Sequence, residues 1–244
     1  MKTSHDSLYG PQQAAAARLL YAVRQQQGVA VLCGPGGTGV STVLDHVANE
    51  LESAGLSTIR VSGRNLVVDQ LADQLADLRS VRTNQSADRA ISFAGLREGK
   101  AGSAAPVLLV DDGHGCEASQ LAEFVVTIQA SLPSAAIVLA GRGRLLTLLA
   151  REQELQEQVL LRAVLPPWAL PETAAFVRER FAAARVPVSD DALLTTMHEI
   201  AAGIPQAIVR LVETAVLIAK AHPAHLLRRV DVEQMHDRLS LAAA

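Results

Sequence analysis

Residues 29–42 read Val-Ala-Val-Leu-Cys-Gly-Pro-Gly-Gly-Thr-Gly-Val-Ser-Thr, and no other stretch narrows the possible folds as far. Val29 to Cys33 is a short apolar run that breaks into glycines and resumes as Val43-Leu44-Asp45-His46-Val47 at helical spacing. A buried strand, a glycine turn and a helix in immediate succession open a parallel α/β sheet.

The turn carries chemistry. Gly34 and Gly39 take the two glycine positions of G-x-x-x-x-G-K-[ST], the phosphate-binding loop, and Ser41 takes its hydroxyl position. Pro35, Gly36, Gly37 and Thr38 form the loop between the glycines, and Thr42 follows the hydroxyl. Glycines there let backbone N–H groups approach phosphate oxygens, and the following helix adds its own unpaired N–H groups. The lysine position, however, is Val40, and the chain's lysines, Lys2, Lys100 and Lys220, all lie far away in sequence. Gly34 through Thr42, Val40 included, are the candidate nucleotide-binding residues.

Further strands follow. Leu56 to Val61 is one, and Val107-Leu108-Leu109-Val110-Asp111-Asp112 is an apolar strand ending in two carboxylates, the pattern of a Walker B element. Asp111 is expected to stand with Ser41 on the magnesium side, and Asp112 is the candidate catalytic carboxylate. Residues 135–140 and 159–164 read as two more strands. Helical spacing is expected over 12–26, 41–54, 71–78, 121–128 and 145–149, with a short helix near 88–96 and a loop to 103. Residues 1–10 read as polar and loosely docked. Pro166-Pro167 ends the strand signal; helices opening at Pro171, Ser189, Gly203 and Val230 follow. The fold class is therefore α/β: a doubly wound parallel five-stranded sheet over residues 1–166, then a small all-α domain over 167–244.

With 244 residues, 49% hydrophobic and 3% aromatic, the core is built from Ala, Leu and Val. A net charge of −3 gives no general attraction for nucleic acid, so no nucleic-acid partner is expected. Cys33 and Cys116 have no metal-like spacing and read as reduced, buried thiols, placing the chain in the cytoplasm. No apolar run is long enough to span a bilayer.

Four places resemble the AAA+ ATPases, in particular the ExeA-type proteins of general secretion and their DamX-like and transposition-type relatives. They are Ala17 to Tyr21, the stretch Leu108 to His114 in the manner of a "DEAH" segment, Ile137 to Gly141 with Leu145, and Leu165-Pro166-Pro167 with Glu172 to Val177. Gly203-Ile204-Pro205 resembles the family's "GGIP" turn. The resemblance implies a P-loop sheet followed by a helical lid, with ATP and Mg²⁺ as cofactors and with AAA+ oligomers or other proteins, a membrane-associated one included, as partners. It also exposes departures: Val40 for the lysine, Asp112 for the Walker B glutamate, Gln206 where the family's sensor arginine falls, and Gln158 near its finger arginine. The expectation is a degenerate site with weak or absent nucleotide binding and weak or no ATP hydrolysis, serving a regulatory or assembly subunit. An active ATPase completed by a basic residue in trans and a DNA-associated accessory protein are the alternatives. Asp111 and Asp112 are expected to lack a lysine to balance them, leaving Mg²⁺ to restore the balance.

Overall fold

The computed structural model describes residues 8–25, 28–66, 106–187, 190–222 and 226–241. The helices expected near 71–78 and 88–96, and the loop to 103, lie outside them. The chain divides into two compact units, one holding Gln12–Gly34 and Val40–Leu165, the other Tyr9–Pro11, Pro35–Gly39 and Pro166–Ala244.

The first unit runs α1 (Gly10–Arg24), β1 (Val29–Cys33), α2 (Val40–Ser53), β2 (Thr58–Ser62), β3 (Val107–Asp111), α3 (Ala118–Ser131), β4 (Ala136–Gly141), α4 (Arg144–Leu149), α5 (Gln153–Glu157) and β5 (Val159–Val164). All strand pairs are parallel, in the order β2-β3-β4-β1-β5. β4 thus separates the strand that enters the glycine loop from the strand that ends in Asp111. β1 and β4 are buried along their whole length, as expected of central strands covered on both faces.

The sheet has two apolar faces. Val31, Ile59, Val61, Leu108, Val110 and Leu139 pack with Leu121, Phe124 and Ile128 of α3. Leu32, Leu109, Val138 and Ala163 pack with Leu19 of α1 and Val43, Leu44 and Val47 of α2. Because successive side chains of a strand alternate faces, Asp111 follows Val107 and Leu109 onto the α2 face. Arg60, between Ile59 and Val61, falls on that face too.

β2 and β5 are the edge strands. On β5, Leu160 and Val164 are exposed at 61% and 57%. Arg162 stands between them, and its carbonyl accepts from the Arg18 guanidinium at 3.1 Å.

In the second unit α6 (Leu170–Ala184), α7 (Asp191–Ile200), α8 (Pro205–Ala221) and α9 (Arg229–Leu241) enclose Phe176, Val177, Phe181, Leu193, Met197, Ile208 and Val232. Its described residues contain no strand. Pro171 and Pro205 lie in the first turns of α6 and α8, where a missing N–H costs nothing. Asp190 caps α7, its carboxylate accepting from the Leu193 N–H at 2.9 Å. Gly203 precedes α8 at φ +68, its carbonyl accepting from the Trp168 N–H.

Two boundaries differ from the sequence reading. The chain is docked from Leu8 onward: Leu8 is buried, and Tyr9 stacks in the second unit against Trp168 and Phe176, ring centroids 4.8 and 5.6 Å away. The Tyr9 hydroxyl donates to Glu179 at 2.7 Å. Burial, with that carboxylate beside it, pushes the phenol up to about 12. α5 was not foreseen, since one turn with the single buried residue Leu155 leaves no periodicity to read.

Candidate functional site

Asp111 sits at the C-terminal end of β3, where the register pairs it with Ser62 of β2. Each of its carboxylate oxygens has a donor. Oδ1 accepts from the Ser41 hydroxyl at 3.3 Å and from the Asp112 N–H at 2.8 Å. Oδ2 accepts from Arg60 Nη2 at 3.1 Å. The other arm of the Arg60 guanidinium holds Asp45. Ser41 and Asp45 are four residues apart on α2 and so share one helical face. That face, the end of β3 and Arg60 of β2 therefore form one polar cluster, with Asp111 its least exposed member at 20%.

Asp112 turns away from this cluster. Its backbone is left-handed, φ 53 and ψ 29, a conformation aspartate adopts more readily than most residues. Its carboxylate meets Arg64 Nε at 3.1 Å, an exposed pair of small energetic weight. His114 Nδ1 stands 3.9 Å from it, but the same nitrogen accepts the Arg142 N–H at 3.3 Å. Beneath, the single helical turns after β2 (Gly63–Asn65) and β3 (Gly113–Gly115) are pressed together. A Cβ on Gly63 would lie 2.7 Å from the Asp112 carbonyl, and the Cys116 thiol donates to the Gly63 carbonyl at 2.9 Å. Burial pushes that thiol up to about 11. It also raises the Cys33 thiol, directly before the glycine loop.

The parts of the loop are hydrogen-bonded each within its own unit. The Gly34 N–H donates to the Gly141 carbonyl at 3.3 Å. The Pro35 carbonyl accepts both the N–H and the hydroxyl of buried Thr38, at 3.3 and 2.8 Å. Gly37 and Gly39 have φ of +83 and +92, which only glycine adopts without strain. Within the second unit the Gly37 carbonyl accepts the Gln206 N–H at 3.1 Å, and a Cβ on Gly37 would meet Ile204 at 2.8 Å. Pro35 and Gly36 are exposed; Val40 is the first residue of α2 and packs partly buried against the α2-side core. Thr42 is exposed one residue beyond Ser41. Gln158 lies at the other end of the sheet, its carbonyl accepting the Val29 N–H at the start of β1.

Two neighbours of the candidate carboxylates escaped the sequence reading. Arg60 and Arg64 stand against Asp111 and Asp112, cations that the sequence reading did not place beside them. The signal for Arg60 was the alternation Ile59-Arg60-Val61, which sends it to the α2 face; its partner required knowing that β2 neighbours β3. This also decides the fit of a magnesium ion. Mg²⁺ demands near-octahedral oxygen ligands at about 2.0–2.1 Å and is drawn to unneutralised carboxylate. Here both Asp111 oxygens are occupied by donors of the chain, one of them a guanidinium. The donor set does not fit the ion. Among the described residues no group of three or more His, Cys, Asp or Glu is placed to hold a metal.

Comparison with known proteins bears on the whole arrangement. The AAA domain family matches residues 23–149, just over half of the chain. No curated protein matches the sequence. The fold is similar to RuvB of Thermotoga maritima, a Holliday junction branch migration motor: TM-score 0.60, 18% identity, over 93% of this chain and 69% of that one. It is similar to the ORC1 protein of Aeropyrum pernix in complex with DNA, at 0.62 and 17%, over 98% and 68%. A Walker-type ATPase of Pyrococcus abyssi gives 0.61 and 14%, over 94% and 71%. At such identities the likeness speaks for the fold alone. Sheet order, glycine loop, carboxylate-tipped β3 and the family match agree: the chain belongs to the AAA domain family of P-loop proteins.

Proposed function

We propose that this protein is an AAA+ module that has given up ATP turnover and acts as a regulatory or assembly subunit. Residues 1–166 are its P-loop domain and 167–244 its helical domain. The observation that carries the reading is Val40, an apolar side chain where the lysine facing the β- and γ-phosphates would stand. A transition-state arginine finger alone is worth about 10³–10⁵ in rate, and Gln158 and Gln206 bring no charge either. Such losses do not add simply, but together they leave hydrolysis negligible. Nucleotide binding through Gly34 to Thr42 is weak, resting on backbone N–H groups without a lysine. Asp112, the candidate base, is engaged by Arg64. The protein works in the cytoplasm, with another protein or an AAA+ oligomer as partner, and a role in secretion would run through a membrane-associated one.

The test is phosphate release from ATP, with calorimetric titration beside it. Turnover should equal the buffer background and be unchanged in Asp111→Ala. Turnover that Asp111→Ala abolishes would overturn the reading. A DNA-associated role is the second reading, prompted by the structures similar in fold, one a branch migration motor and another solved with DNA. Saturable binding of duplex DNA in a filter assay would favour it.

A further inference from the structure

We infer that Arg60 is the resident cation of this site, its guanidinium occupying the place that a divalent metal ion would take beside Ser41 and Asp111. The inference rests on reading that pair as the magnesium side of the phosphate loop. It then goes further, because it says why the pair persists without a metal.

Three observations converge on it. Arg60 lies on the α2 face of the edge strand β2, between Ile59 and Val61, which point into the opposite core. A single cation there reaches two carboxylates on separate elements: Asp45 of α2 and Asp111 of β3, the latter at 3.1 Å. Asp111 Oδ1 is in turn filled by the Ser41 hydroxyl and the Asp112 N–H. A guanidinium satisfies carboxylates in this way because it is planar, permanently charged and presents several donors in fixed directions. A bound divalent ion would have to compete with the Arg60 guanidinium for Asp111 Oδ2. It would also sit next to an existing positive charge. One guanidinium against two carboxylates leaves the cluster with a single net negative charge, and the cation facing Asp111 comes from the fold rather than from metal or nucleotide. With the lysine position filled by valine, Arg60 is also the cation that keeps Asp111 from standing as a lone partly buried charge.

Manganese tests this, since Mn²⁺ takes magnesium's oxygen ligands and its binding is read from loss of the free-ion paramagnetic resonance signal, with no nucleotide and no turnover. That separates failure of this inference from failure of the functional reading above. The full chain should show no saturable Mn²⁺ binding at millimolar metal. Arg60→Gln should gain it, by about 10-fold or more in affinity, the scale on which residues around a metal's ligands act. The gain should vanish in Arg60→Gln combined with Asp111→Asn. If Arg60→Gln does not fold by far-UV circular dichroism, Arg60→Met, which keeps the apolar stem, is read in the same way. Mn²⁺ binding by the unmodified chain that Asp111→Asn abolishes overturns the inference. So does an arginine variant that folds and still binds no metal, or one whose binding survives the loss of Asp111.

Discussion

At the scale of single residues the site is a matter of where one charge sits. Val40 stands at the position where the phosphate-loop pattern has lysine, and Arg60, on a different strand, stands against Asp111. The two are not equivalent: a lysine after Gly39 would face phosphate, whereas Arg60 faces carboxylate. Cys116 offers a sharper check on the same neighbourhood. It is buried, donates to the Gly63 carbonyl, and has its thiol pushed from 9.0 up to about 11 by burial. At pH 8 about one molecule in a thousand then carries the reactive thiolate. Iodoacetamide should therefore label Cys116 in the native protein far more slowly than in guanidinium, a difference seen by mass spectrometry; equal rates would show that the turns after β2 and β3 open. The sign of the linked stability follows. The folded state holds the proton, so the contribution is complete below pH 9 and is lost as pH rises toward 11.

At the scale of elements, the turn before α8 is the most demanding piece of backbone. Gly203 has φ +68, and a Cβ there would lie 2.3 Å from the Trp168 carbonyl. Gly203→Ala should cost about 1–3 kcal/mol from strained backbone alone, more if Trp168 cannot yield, and chemical denaturation would measure it. Gly143, where an added Cβ meets nothing, should tolerate the same change. The elements also show what was legible beforehand. β1, β3 and β4 announced themselves because central strands bury both faces and so read as unbroken apolar runs. Their observed ends fall within a residue of those expected. Leu71 to Leu78 read as clearly, but lies outside the described residues. α5 was silent because a single turn has no period. The Arg60 pairing was half legible: alternation along β2 fixes its face, but a charge finds its partner through strand order, which no local pattern encodes.

At the scale of the whole molecule the two units carry separate apolar cores, and the chain provides a probe that sees only one. Trp168 is its single tryptophan and lies buried with Tyr9 and Phe176 in the second unit. Phe181→Ala, in that core, should lower stability by roughly 3–5 kcal/mol and Phe124→Ala, under the sheet, by a similar amount. Tryptophan fluorescence should register the first as a large fall in denaturation midpoint and the second only weakly, while circular dichroism registers both. Equal shifts by both probes would mean that the chain unfolds as one unit. Among the described residues no helix is long and apolar enough to cross a membrane. The outer rim of β5 has a consequence of another kind. An open edge flanked by Leu160 and Val164 is a template for sticking to its own copies, and the defence is two arginines: Arg162 between the apolar side chains and Arg18 capping a free carbonyl. Such a guard is colloidal, made of repulsion between like-charged rims, and dissolved salt thins it within a Debye length of about 8 Å at physiological strength. The concentrated protein should keep better in dilute buffer than in brine.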